Sequence, residues 1–402
     1  MRAMEFDRAR VGLAALVTAG ALAIGASACG SNSASSTSSS GGGTTTAAAG
    51  GSGGSGQSTA KAAIAESLKV PAFTLKANKF DASKAKGKTI FNIPVSSAIP
   101  YVAATDKQMQ VLAAQLGIKW VQFNNQGNPT QWAAGISQAI AQKADLINLD
   151  AGNDPQLVLP QLRQAKAAGI PVQVTHLYEN GTTPPATVAN LISSFVTVPF
   201  AKSGELSVDY AVAQNGCNDV KSVLIIDAKE VPPSEGIVAA MKAELTKLCP
   251  GGKATVINVP VVDWGTKIAP ETQSALSADP SIKWVLPIYD SMAIPAIAGI
   301  RAGGKATAVK VSSYNGTPDL LTLIKNGNIM AADMGENVNW LAYANMDQML
   351  RTLLHQPLKN GGELTPLRVF DKSNVGEAGP PPSTGGFGTA YITGYKALWG
   401  QG

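Results

Sequence analysis

From Lys88 onward the chain alternates strand and helix patterns, and that alternation restricts the fold more than any other feature. "TIFNIPV" is a β-rich apolar run. "YVAATDKQMQVLAAQLG" follows with helical spacing and ends at Gly117, a C-cap residue. "KWVQF" reads as the next strand. "NPTQWAAGISQAIAQKA" opens with Asn128 as N-cap and Pro129 at the first helical position. Its Trp132, Ile136 and Ile140 recur on one face. "DLINLD" is a strand, and "DPQLVLPQLRQAKAAG" opens in the same way at Asp154 and Pro155. Pro160 predicts a kink or a late start there. "IPVQVT" is the next strand. The pattern resumes after "SSFVTVPF", with strands "VKSVLIID", "KATVINV", "IKWVLPIYD" and "VKVSSYNG" and the helix "SEGIVAAMKAELTKL". Repeated strand–helix units predict parallel sheets with helices on both faces, here in two similar α/β halves. Ligands of such sheets bind outside the carboxyl ends of the strands.

The amino-terminal region has a different character. Arg2, Arg8 and Arg10 precede an uncharged apolar run over residues 11–26. Small residues follow at Ser27 and Ala28, which is the form of an export signal. The run is shorter than the roughly 18 residues of a spanning helix, so it predicts a signal rather than a permanent anchor. Ala26-Ser27-Ala28-Cys29 resembles a bacterial lipobox, with Ala26 where Leu is usual. That resemblance implies acylation of Cys29 and cleavage just before it. The alternative is a small-residue cleavage site with an incidental cysteine. Residues 30–60 are almost entirely Ser, Gly, Thr and Ala. With no apolar groups to bury, they predict a flexible tether between the lipid and a folded body.

Only 15% of the chain is charged, the formal net charge is +5, and no Lys/Arg cluster occurs. Nucleic acid is therefore not an expected partner. Cys217 and Cys249 are left as a pair, which outside the cytoplasm predicts a disulfide; two buried thiols are the alternative. "WVLPIYDSMAIPAIAGI" is long and apolar, but Tyr289, Asp290 and two prolines interrupt it. It predicts a buried strand, a polar loop and a packed helix rather than a membrane span. The chain has two histidines, no HExxH, no paired CxxC, no GxxxxGK[ST] and no GxSxG. No cofactor or metal is expected, and no activated nucleophile is apparent. A carboxylate-pair glycosidase needs no fixed spacing, so a secreted hydrolase stays open by motif.

The order of parts resembles a bacterial solute-binding lipoprotein of an ABC importer. The body is similar to the periplasmic sugar-binding family that includes the ribose-binding protein. The local matches are "IPYVAATDKQMQVLAAQLG", "AAGIPVQVT", "ADPSIKWVLPIYDSMAIPAIAGIRAGGK" and "SYNGTPDLLTLIKNGNIMAADMGENVN". They include Asp290-Ser291-Met292-Ala293 and the Asn315-Gly316-Thr317-Pro318-Asp319 turn. The resemblance covers about residues 88–358. It implies a type I periplasmic binding protein: two doubly wound parallel-sheet lobes joined by a three-segment hinge, near Ser194, Glu336 and Thr365. The expected organisation is a signal peptide over 1–28, a tether over 29–60 and a lead-in over 61–87. The N-terminal lobe is expected over 88–194 and 337–365, and the C-terminal lobe with tail over 195–336 and 366–402. A repressor with the same body needs an N-terminal DNA-binding helix pair, where this chain has a signal and a tether.

The same resemblance implies a monomer that closes its lobes around a small solute and presents it to ABC importer membrane subunits. Carried over by position, the ligand contacts are Pro100 and Tyr101, His176, Trp264, Tyr289 and Asp290, Asn315, and Glu336. Aromatic faces suit the C–H faces of a sugar, and amides and acids suit its hydroxyls. Each has a structural alternative: core packing for Trp264, a surface position for Tyr101, helix capping for Asp290, turn formation for Asn315, and a hinge role for Glu336. Two departures stand out. Thr175-His176-Leu177-Tyr178 occupies the place of an Asp-Arg pair, and Pro233-Ser234-Glu235 that of another Arg. Loss of guanidinium forks puts a simple free pentose in doubt and disfavours an anion. A different sugar, a polyol, a less polar molecule or a cation remains.

Overall fold

The computed structural model describes residues 52–327, 329–379 and 385–401. The predicted signal peptide, Cys29 and the tether up to residue 51 lie outside the described residues. Helix α1 (Ser52–Ser67) comes first. The first lobe runs β1 (Thr89–Pro94), α2 (Pro100–Gln115), β2 (Lys119–Gln122), α3 (Pro129–Ala141), β3 (Leu146–Asp150), α4 (Leu159–Ala167), β4 (Val172–Glu179) and β5 (Ser194–Val198). The second runs α5 (Phe200–Asp219), β6 (Ser222–Asp227), α6 (Ser234–Leu248), β7 (Lys253–Asn258), α7 (Trp264–Ala278), β8 (Trp284–Pro287), α8 (Asp290–Ala302), β9 (Lys310–Asn315), α9 (Pro318–Lys325) and β10 (Met330–Gly335). Then follow α10 (Val338–Leu353), β11 (Glu363–Leu364), β12 (Arg368–Asp371) and α11 (Ala390–Leu398).

The strands form two sheets, ordered β11-β5-β4-β3-β1-β2 and β12-β10-β9-β8-β6-β7. All pairs are parallel except β10 with β12. Both sheets reverse their order beside a central strand, β1 or β6, which opens a crevice at the carboxyl ends there. Strands β3 and β6 are buried along their whole length, as expected of parallel sheets covered on both faces. Local signals behave as the sequence predicts. The Asn128 side chain accepts from Gln131 N–H at 3.0 Å. Asp154 caps a short 3-10 turn, Pro155–Val158, and the α-helix starts only at Leu159, with Pro160 in its first turn. This is the late start, and it leaves no helical hydrogen bond for the proline to break.

Three boundaries differ from the sequence reading. Residues 52–60 belong to α1, not to the tether, because tertiary packing outweighs their weak helix propensity. Ala60 and Ile64 are buried, and Gln57 Nε2 donates to Ala213 O at 3.2 Å. A Cβ at Gly56 would sit 2.0 Å from Leu248 O, so glycine is what lets α1 lie against the end of α6. The first crossover falls at Pro199, beyond Ser194, because β5 pairs with β4 in the first sheet. The tail does not stay on the second lobe. Tyr391 stacks on Trp340, and Trp399 Nε1 donates to Asp347 Oδ1 at 2.8 Å, so α11 rests on α10 of the first lobe.

The lead-in also crosses between lobes. Helix α1 lies on α5 and α6 of the second lobe. Leu68 O accepts from Arg368 Nε at 2.9 Å, Phe73 packs against Tyr395, and Asn78 O accepts from Arg351 of α10 at 3.1 Å. Arg351 is itself buried and paired with Asp347 at 2.6 Å.

A disulfide joins Cys217 and Cys249, with Cα atoms 5.2 Å apart, and ties the ends of α5 and α6 under α1. Replacing both cysteines by serine is expected to lower unfolding stability by about 3 kcal/mol, read as a drop in the urea midpoint with a steeper slope, because the unfolded chain without the cross-link exposes more surface. Asp209 on α5 is buried, its Oδ1 without a partner among the described residues. Burial first, and then the nearby Glu244, push its carboxyl up to about 7. A raised folded-state value gives stability that is present at acid pH and lost as pH rises through about 7. Asp209→Asn should therefore flatten the fall in thermal midpoint between about pH 4.5 and pH 8.

Candidate ligand-binding cleft

A cleft of about 320 Å³ opens between the lobes at the carboxyl ends of the strands. Backbone geometry places its wall residues. Strand β4 carries a bulge in which His176 and Leu177 have no partner on β5. His176 takes a φ of 51° there, which turns its ring into the cleft. Ala151, after β3, has φ 63°, and Asn315, the last residue of β9, has φ 138°. All three line the cleft. Non-glycine residues held in this region carry strain, and strain gathers at functional sites.

The floor is a run of rings. Tyr101 lies 5.3 Å from His176, His176 stacks on Tyr314 at 6.4 Å, Tyr314 meets Tyr289 at 6.2 Å, and Tyr289 meets Trp264 at 6.3 Å. Phe200 closes edge-on against His176 at 5.1 Å. Beneath them lies Glu336, 1% exposed. The Tyr101 hydroxyl donates to its Oε2 at 2.5 Å. His176, with the proton on Nε2, donates to the same oxygen at 2.8 Å. Burial, followed by the Glu336 charge, holds the Tyr101 and Tyr314 hydroxyls far above their ordinary value, so both remain protonated donors.

Five of the eight predicted contacts line the cleft: Tyr101, His176, Trp264, Tyr289 and Asn315. Trp264 is half-buried, and its Nε1 donates to Val259 O at 2.9 Å, which fixes the ring. No hydrogen bond occupies the Asn315 side chain among the described residues, so its amide is open to a ligand. The other three lie outside the wall. Pro100 is exposed at the first position of α2. The Asp290 carboxylate is consumed by the Ser313 hydroxyl and by Thr317 N–H at 2.7 Å. Glu336 holds Tyr101 and His176 from the hinge crossing. The sequence reading missed Tyr314 in the run of rings, and Ser96, Asp154, Glu230 and Trp132 on the wall itself. The first four are at or soon after strand ends, a signal that was available. Trp132 was read only as a core position; its Nε1 donates to Val95 O at 2.9 Å while its ring reaches the cleft.

Charge is held down around the cleft. In the first lobe burial pushes Asp150 up, and neighbouring Asp106 adds to it. In the second, burial and Asp290 push Asp333 up. In each pair, burial and the like charge of the neighbour disfavour the ionised form. Asp154 and Glu230 reach the wall, but each accepts a backbone N–H, from Gln156 at 2.9 Å and from Val261 at 2.6 Å. No lysine or arginine lines the cleft among the described residues.

Residues 90–356 match the family model described as periplasmic binding protein domain, about two thirds of the chain. The chain belongs to this family. The fold is also that of solved solute-binding proteins. One from Agrobacterium vitis, bound with alpha-D-tagatopyranose, superposes with a TM-score of 0.64 at 18% identity, over 74% of this chain and 99% of that one. A carbohydrate transporter protein from Acidothermus cellulolyticus, in complex with myo-inositol, gives 0.62 at 20%, over 74% and 98%. One from Mycobacterium smegmatis with bound glycerol gives 0.61 at 20%, over 71% and 95%. These likenesses carry the two-lobed, type I architecture.

Tyr101→Phe keeps the ring but leaves a buried carboxylate oxygen short of one donor. It should cost about 1–3 kcal/mol of stability, read by urea unfolding, with no loss of secondary structure by circular dichroism.

Proposed function

We propose that this protein is an extracytoplasmic solute-binding protein that captures a small, neutral, carbohydrate-like solute and delivers it to an ABC importer. The observation that carries the reading is the interlobe cleft itself, with an aromatic floor, an open amide at Asn315, and no cation on its wall. Aromatic faces meet C–H faces, and the amide and imidazole orient hydroxyls. An anion has nothing to pair with. The relatives of like fold that hold tagatopyranose, myo-inositol and glycerol support the same class. Ligand contacts on both lobes exist only in the closed form, so ligand shifts the population towards closure, and the importer's membrane subunits read the closed shape. Tyr101, His176, Trp264, Tyr289 and Asn315 are the proposed contacts, and the protein binds without turnover, as a monomer. Lipid on Cys29 holds it at the outer face of the cell membrane, with the Ser/Gly/Thr segment as tether. Among the described residues no helix is long and apolar enough to cross a membrane.

A second reading, a binder of a non-sugar, low-polarity solute, is favoured by the aliphatic residues at the cleft mouth. A thermal-shift screen against sugars, polyols, amines, amino acids and aromatic acids separates the two. A ligand at about a thousand times its Kd adds about 4 kcal/mol, an easily visible shift. We expect a selective shift from one sugar or polyol class, with the ligand recovered chemically unchanged. Shifts from amines or aromatic acids alone would remove the carbohydrate reading, and hydrolysis of a glycoside would make the protein an enzyme.

A further inference from the structure

The cleft changes character from floor to mouth. The floor residues Tyr101, His176, Tyr289 and Asn315 are all buried and polar-tipped. The mouth is aliphatic on both rims. Leu157 of the first lobe is 58% exposed and Val262 of the second 91% exposed, and both line the cleft. Val231 and Pro232 continue the second rim.

The second rim is also poor in donors. Pro232 and Pro233 stand in the loop after β6 and have no backbone N–H. The N–H groups on either side are already used: Val231 donates to Ala228 O at 2.9 Å, and Ser234 to Val231 O at 2.9 Å. In the loop after β7, Pro260 has none and Val261 donates to Glu230. The carboxylate of Glu230 is thereby tied to its own rim. A hydroxyl brought against this rim finds few backbone donors and has the Glu230 carboxylate as its polar partner, so hydroxyls are served less well here than on the floor. An apolar group there removes exposed aliphatic surface from water on both lobes at once, and does so only when they close.

Resting on the carbohydrate-like reading above, we infer that the cleft takes an amphipathic neutral solute. A hydroxylated head sits on the floor among His176, Tyr101 and Asn315. An aryl or alkyl substituent lies in the mouth between Leu157 and Val262. The ligand class is a substituted sugar or cyclitol, of the kind an alkyl or aryl glycoside represents, rather than the free sugar.

The test is calorimetric titration of the full chain with matched pairs: glucose, galactose, mannose and xylose, each beside its phenyl β-glycoside. In the pair whose head fits, the phenyl glycoside should bind at least tenfold more tightly than the free sugar. Val262→Asp, at a position 91% exposed, should lower the phenyl glycoside's affinity far more than the free sugar's and so erase most of that ratio. Equal affinity of free and substituted sugar, or a ratio unmoved by Val262→Asp, overturns the inference and leaves the carbohydrate reading standing. Binding of no pair member, together with no shift from any sugar or polyol in the thermal screen, overturns both.

Discussion

Glu336 sits where the chain passes from β10 back to α10, and its carboxylate takes two donors from the first lobe, Tyr101 and His176. Its backbone N–H donates to Asn315 O of the second lobe at 3.2 Å. One residue at a crossover thus touches both walls of the cleft. A carboxylate this buried is costly without donors; Oε2 takes both of them, while Oε1 has no hydrogen-bond partner among the described residues, so the need for donors is met at one oxygen. That need accounts for the bulge in β4: without the two extra residues, His176 would lie in the ladder and could not reach Glu336. It also explains why Tyr101, at the second position of α2, points inward. The floor is therefore in place before any solute arrives.

Much of the body was legible from local signals. Asn128 with Pro129 marked a helix start, Asp154 with Pro155 marked what is a short 3-10 turn, and of the kink or late start that Pro160 allowed the structure has the start at Leu159. These signals act within one turn, so the sequence carries them in full. Helix α1 was not legible. Its Ser, Gly and Thr are poor helix formers, and what stabilises them is contact with α5 and α6, some 150–190 residues away. The end of the chain failed for the same reason. Nothing in "AYITGYKAL" says that Tyr391 stacks on Trp340 or that Tyr395 donates to Glu363. The hinge near Ser194 was what the resemblance implied, whereas the sheet itself keeps β5 until Val198.

The site divides along the same line. Position after a strand is a topological property, and it marked Tyr101, His176, Tyr289 and Asn315 as cleft residues. What a side chain does once there depends on partners that the sequence does not bring together. Asp290 was expected to face a ligand, yet Ser313 and Thr317 consume it. Glu336 was expected as a contact, yet its partners lie 160 and 235 residues away. Tyr314 stands one residue before the end of β9, and its hydroxyl lies 3.4 Å from His176 Nε2.

The two places where the resemblance implies arginine, Thr175-His176-Leu177-Tyr178 and Pro233-Ser234-Glu235, hold no cation, and this has a common physical effect. A guanidinium fork binds hydroxyls strongly wherever it reaches, so its loss moves hydrogen bonding away from the rims and concentrates it on the floor. The prolines go further, because they remove backbone donors as well as a side chain. Orientation of a ligand is left to a rigid, buried set of polar groups, and closure is left to apolar burial at the mouth. Apolar burial is non-directional and tolerates sliding, whereas floor hydrogen bonds do not. A cleft arranged in this way discriminates strictly at one end of its ligand and loosely at the other, so the head should set specificity while the substituent sets how far the closed state is favoured.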